Sequence, residues 1–105
     1  MRVVNVANEE LEVAFEEAFE SQVASRNNIP SFDVAVEKNT EGTVISVETT
    51  VYGFAGTPTQ TEYEANKGAK KVEIQHPKLG KVAFKLDKVY SLNVNDYVAI
   101  YKFSD

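Results

Sequence analysis

Apolar residues recur along this chain with two different periods. Between Asn8 and Ser25 the period is helical: at about 100° per residue, Leu11, Ala14, Phe15, Ala18 and Phe19 fall in one continuous arc. The same stretch holds six glutamates and no basic residue, and Glu9, Glu10, Glu12, Glu16, Glu17 and Glu20 all fall in the complementary arc. The pattern predicts an amphipathic helix with an apolar underside and an anionic outer face. Asn8 is suited to cap it, its side chain accepting a backbone N–H of the first turn. Glu9, Glu10 and Glu12 lie where the helix dipole favours negative charge. Glu12–Glu16 and Glu16–Glu20 are like-charge pairs at i,i+4, each costing about 0.2–0.5 kcal/mol, too little to demand a functional explanation. Asn27-Asn28 and Ile29-Pro30 end the helix and turn the chain.

Elsewhere the period is two. Arg2 to Val6 is short and β-prone and reads as a first strand. From Phe32, the residues Phe32, Val34 and Val36 alternate with Asp33, Ala35 and Glu37; Lys38 to Gly42 is a turn by composition. Thr43 to Tyr52 reads as a long strand, with Ile45, Val47 and Val51 on one side and Ser46, Glu48 and Thr50 on the other. Gly53 to Thr59 reads as a loop. Gln60 to Ala65 reads as a strand resting on Thr61 and Tyr63, Asn66-Lys67-Gly68 as a tight hairpin loop, and Ala69 to His76 as the next strand. After the turn His76-Pro77-Lys78-Leu79-Gly80, the segment Lys81 to Tyr90 alternates, with Val82, Phe84 and Leu86 inward and Lys81, Lys85 and Asp87 outward. Asn93, Asn95 and Asp96 bend the chain before Tyr97 to Phe103. That last segment is apolar on both faces, as expected of a central or doubly covered strand.

Short connections imply antiparallel neighbours. The expected fold is α+β: one amphipathic N-terminal helix packed on a curved, mainly antiparallel sheet or partly closed barrel of about six strands, residues 1–105 forming a single domain. The segment Leu92-Asn93-Val94-Asn95-Asp96-Tyr97-Val98-Ala99-Ile100 resembles the turn-then-strand near the end of small SH3-like and barrel domains. The resemblance covers nine residues and carries no function.

Composition narrows the chemistry. An apolar share of 43% and a charged share of 26% are those of an ordinary globular protein. With no cysteine in the chain, disulfides, thiolate metal sites and cysteine nucleophiles are excluded. No apolar run approaches the roughly 20 residues needed to span a bilayer. The opening MRVVNVANEE lacks the apolar core of a signal peptide, so the expected compartment is the cytoplasm, without membrane association. The net charge of −5 is unevenly placed: residues 1–50 carry ten acids and three bases, residues 51–105 six acids and eight lysines. If the lysine-bearing strands pack beside the helix, they neutralise it; if they lie opposite, the molecule has two electrostatic faces.

Few residues invite catalytic roles. His76 is the sole histidine and reads as a strand-end residue, since a general base needs a positioned partner that the HPKLG turn does not offer. No serine sits in a GxSxG context. Glutamates at i,i+4 could ligate a metal through oxygen, but no His or Cys cluster or calcium loop accompanies them. Gly53-Phe54-Ala55-Gly56-Thr57 is no phosphate-binding loop, since neither GK[ST] nor a helix follows it. No enzyme activity, metal or cofactor is therefore expected.

Three binding readings remain. The first is a small non-enzymatic protein-binding module, of the inhibitor or regulator type that some viruses encode. It would engage a partner with a basic surface through Glu9, Glu12, Val13, Glu16, Glu17 and Glu20. A rigid carboxylate array steers toward positive charge, and Val13 is an apolar residue ringed by glutamates. The second is a structural subunit of a virion or other multimer, a homo-oligomer joined through Tyr97, Tyr101 and Phe103 and the sheet edges. The third is single-stranded nucleic-acid binding by Lys67, Lys70, Lys71, Lys78, Lys81, Lys85 and Lys88 with Tyr90, Tyr97 and Tyr101. The acidic balance and scattered lysines speak against nucleic acid, and strand lysines also protect against edge-to-edge aggregation.

Overall fold

The helical period of the N-terminal segment is realised as helix α1, Asn8–Phe19, which continues into a π-helical turn, Glu20–Ala24. The computed structural model describes residues 8–25, 29–41, 44–53, 63, 70–77 and 80–104. The expected strand Arg2–Val6, the hairpin loop Asn66–Gly68, the Asn8 cap and most of the Gly53–Thr59 loop lie outside these residues. The reason for the π turn lies in spacing. Leu11, Phe15, Phe19 and Val23 are all buried, and steps of four residues overshoot the 3.6-residue α-helical turn each time. The wider i→i+5 turn, in which the Ser25 N–H donates to the Glu20 carbonyl, takes back part of that drift and keeps Val23 inward.

Five strands follow: β1 Ser31–Lys38, β2 Val44–Tyr52, β3 Lys71–His76, β4 Gly80–Ser91 and β5 Tyr97–Ser104. They form one antiparallel sheet in the order β1-β2-β5-β4-β3, curved into a half-barrel around the helix. The fold is thus the expected α+β arrangement, with five strands among the described residues instead of about six. Of the Gln60–Ala65 segment only Tyr63 is described, and its backbone is helical. A two-residue alternation there was too short to specify a strand, and the Tyr63 ring sits in the core with its hydroxyl 3.0 Å from that of Tyr101. Strand β5 lies in the middle of the sheet, which explains its apolar residues on both faces.

The concave face carries the core. Val72 and Ile74 of β3, Val82 and Phe84 of β4, Tyr97, Ala99 and Tyr101 of β5, and Val47 and Val51 of β2 are buried with Leu11, Phe15, Phe19 and Val23 of the helical segment. Phe15 joins the two layers, its ring centroid 5.1 Å from Phe84 and 5.6 Å from Tyr101, within the range where aromatic pairs add to simple burial. Hairpin ends are locked locally. Gly80 opens β4 with φ +74°, where any side chain would be strained. Asp96 accepts from the N–H of Gly53 at 2.8 Å and from Asn93 Nδ2 at 2.8 Å. These bonds tie the β4–β5 loop to the end of β2 and hold the Asp96 carboxyl below its usual pKa. Among the described residues no helix is long and apolar enough to cross a membrane.

Candidate functional site

Helix α1 packs its Leu11–Phe15–Phe19 stripe into the half-barrel, so the opposite arc faces out. Glu9, Glu10, Val13, Glu16, Glu17 and Glu20 are exposed and Glu12 is half-buried. Val13 is 54% exposed, an apolar point within the acidic ridge. The binding residues expected from sequence therefore share one surface. Open space runs along both flanks of the ridge. On the β3 side a groove of about 570 Å³ is lined by Glu9, Glu10, Val13, Ala14, Glu17, Gln75, His76 and Pro77. On the β1 side a second of about 500 Å³ is lined by Glu16, Glu20, Ala24, Ser25, Ile29, Pro30, Ser31 and Phe32.

The disposition of charge decides how this ridge appears to a partner. Lys71, Lys81, Lys85, Lys88 and Lys102 are all exposed. Lys71, Lys81 and Lys85 take alternate positions to the buried Val72, Val82 and Phe84, and so project from the convex face, opposite the helix. Cross-strand register sets Lys71, Lys85 and Lys102 in one row over β3, β4 and β5. Such like-charge neighbours repel slightly, and among the described residues only the outer two gain a nearby acid: Lys71–Glu73 at 3.6 Å and Lys102–Asp87 at 3.5 Å. Among the described residues no lysine or arginine pairs with Glu9, Glu12, Glu16, Glu17 or Glu20. Among the described residues, then, the strand lysines leave these five glutamates unneutralised.

His76 is a strand-end residue, as expected, but a buried one whose Nε2 lies 3.5 Å from a Glu10 carboxylate oxygen. Its place in the β3-side groove went unread in the sequence, although Val72, Ile74 and His76 share the inward parity that buries it. The tyrosines also lie differently from the readings that used them. Tyr97 and Tyr101 are buried among core aromatics on the concave face, and Phe103 stacks within 4.4 Å of Phe84. Tyr97 and Tyr101 therefore lie on the face opposite the convex-face lysines and are covered, and Phe103 is half-buried on the same side. Tyr90 alone of the three named tyrosines is exposed.

Two further electrostatic features mark the convex face on its β1–β2 side. A hydrogen bond that the protonated Glu48 carboxyl donates to Glu37, with partial burial and the charge of Glu37, raises Glu48 above its usual pKa, while Lys88 opposes the shift. The Tyr52 hydroxyl is likewise raised, first by its hydrogen bond to Asp33. Among the described residues no three carboxylate or imidazole side chains converge where a metal ion could sit. Compared with protein-family models, curated proteins and solved structures, the chain matches none of them.

Proposed function

We propose that this chain is a small non-catalytic protein-binding module of the inhibitor or regulator type. It engages a partner with a basic surface through the outer face of α1 and acts in the cytoplasm, a setting that its lack of cysteines suits. One observation carries the reading: among the described residues no lysine or arginine pairs with Glu9, Glu12, Glu16, Glu17 or Glu20, and Lys71, Lys81 and Lys85 project from the other side of the sheet. A carboxylate array left uncompensated on a rigid helix speeds encounter with a positive surface and sets its orientation. Val13 and the adjoining groove add an apolar contact at the centre, where binding energy concentrates. Glu9 and Glu17 at the rim suit a lysine or arginine whose aliphatic stem lies on Val13 and Pro77.

The test is affinity capture from a cell lysate, read by mass spectrometry, with the native chain and a Glu12→Lys, Glu16→Lys, Glu20→Lys variant run in parallel. The native chain is expected to retain a basic protein that the variant releases. Equal retention by the charge-reversed chain contradicts the reading.

A further inference from the structure

The two edges of the sheet are built differently. At β3 the edge is closed: the Gln22 side chain hydrogen-bonds both backbone groups of Glu73, and the inward residues Val72, Ile74 and His76 are all buried. At β1 the edge is open among the described residues. Among the described residues no hydrogen bond reaches the outer side of Ser31–Lys38, and that strand contains no proline. Its inward residues Phe32, Val34 and Val36 are only half-buried, whereas Val47, Thr49 and Val51 on the adjoining strand are buried. The apolar layer stops one strand short of full cover. The roughly 500 Å³ groove bounded by Glu16, Glu20, Ala24, Ser31 and Phe32 lies beside this edge.

An open edge that runs in regular register from Ser31 to Glu37, with a shift only between Glu37 and Lys38, is a template for another strand. We propose that β1 takes an extended basic segment of the partner protein as a sixth strand. The proposal rests on the acidic-face reading above and names the form in which that partner is bound. Main-chain hydrogen bonds to β1 supply affinity, and alternate side chains supply specificity. Inward side chains of the added strand are apolar and extend the Phe32–Val34–Val36 row. Outward ones are lysine or arginine, set across from Asp33 and Glu37, the kind of cross-strand pair that stabilises a sheet. Glu16 and Glu20 favour further positive charge along the groove. The same charges argue against a second copy of this chain as the occupant. Pairing β1 with its own copy would gather Asp33, Glu37, Glu16 and Glu20 of both molecules along one seam.

The experiment uses the whole chain and a fluorescent octapeptide of alternating lysine and valine. Two counterparts carry N-methyl groups on alternate amides, one along each edge of the extended peptide, which removes donors without changing charge. The unmethylated peptide is expected to bind and to slow amide hydrogen exchange in Ser31–Lys38 but not in Lys71–His76. Methylation along one edge should weaken binding roughly tenfold or more, and along the other edge leave it nearly intact. Equal binding of all three peptides overturns strand addition while leaving the acidic-face reading standing, since charge alone then suffices. No binding of the unmethylated peptide also overturns strand addition, and the acidic-face reading is then judged by the lysate capture. Self-association that protects Ser31–Lys38 with no peptide present overturns it in favour of a second copy.

Discussion

The side-chain amide of Gln22 binds the backbone of Glu73 at both of its polar groups, donating from Nε2 to the carbonyl at 2.7 Å and accepting at Oε1 from the N–H at 3.1 Å. A helical glutamine thus takes the place that a neighbouring strand would fill at the β3 edge. The contact also fixes the C-terminal end of the helical segment against the sheet. It depends on the π turn, which sets the direction of Gln22 while Val23 remains in the core.

Removing that clasp should weaken the fold and expose the edge. Gln22→Ala leaves two partly buried backbone groups without their partner, so a loss of about 1–3 kcal/mol is expected in urea unfolding. Light scattering of the same variant should show concentration-dependent association, because the β3 edge becomes available for pairing.

The hydroxyls of Tyr63 and Tyr101 meet in the core at 3.0 Å. Tyr101→Phe takes away the bond that Tyr63 makes there, at an expected cost of about 1–3 kcal/mol. The double variant Tyr63→Phe, Tyr101→Phe should lose less than the sum of the single variants, since both polar groups are then gone. A double-mutant cycle in denaturant measures the coupling.

Alkaline stability follows from the same region. Burial, with smaller contributions from Tyr101, raises the Tyr63 pKa, and burial with the nearby Tyr63 raises that of Tyr97. An unfolded tyrosine ionises near pH 10, so above that pH the unfolded chain holds fewer protons than the folded one and stability falls as pH rises. Below the unfolded pKa this contribution is fully present. A pH-jump absorbance experiment should show ionisation of the buried tyrosines appearing together with unfolding above pH 10 and not before it.

Thr49 interrupts an otherwise aliphatic inward row, Val47, Thr49, Val51. Its side chain is fully buried, and its hydroxyl has no hydrogen-bond partner among the described residues. Thr49→Val keeps the shape and removes the unpaired group. A gain of about 1 kcal/mol in thermal or urea unfolding is expected.

The parts that were legible in the amino-acid order are those with a strong local period. The Leu11–Phe15–Phe19 arc placed the helix and its glutamates outward. Alternation placed four strands within two residues of their observed ends, and apolar residues on both faces of β5 marked it as central. The alternation of Tyr97, Ala99, Tyr101 and Phe103 with Lys102 also carried a signal that the tyrosines face the core, because a lysine belongs on the solvent side. What had no local signature was the Gln22–Glu73 clasp, which joins residues 51 apart through a π turn. The position of the lysines relative to the helix likewise depends on which sheet face the helix covers, a tertiary fact.

The acidic ridge as a binding surface is tested most directly by two matched charge reversals in the same lysate capture. One is Glu12→Lys, Glu16→Lys, Glu20→Lys on the helix; the other is Lys71→Glu, Lys85→Glu, Lys102→Glu on the convex face. Each changes three charges, and each leaves the buried core untouched. Loss of the basic partner from the helix variant, with retention by the convex-face variant, is the expected result. Retention by the helix variant together with loss from the convex-face variant would contradict it and move the binding surface to the lysine row.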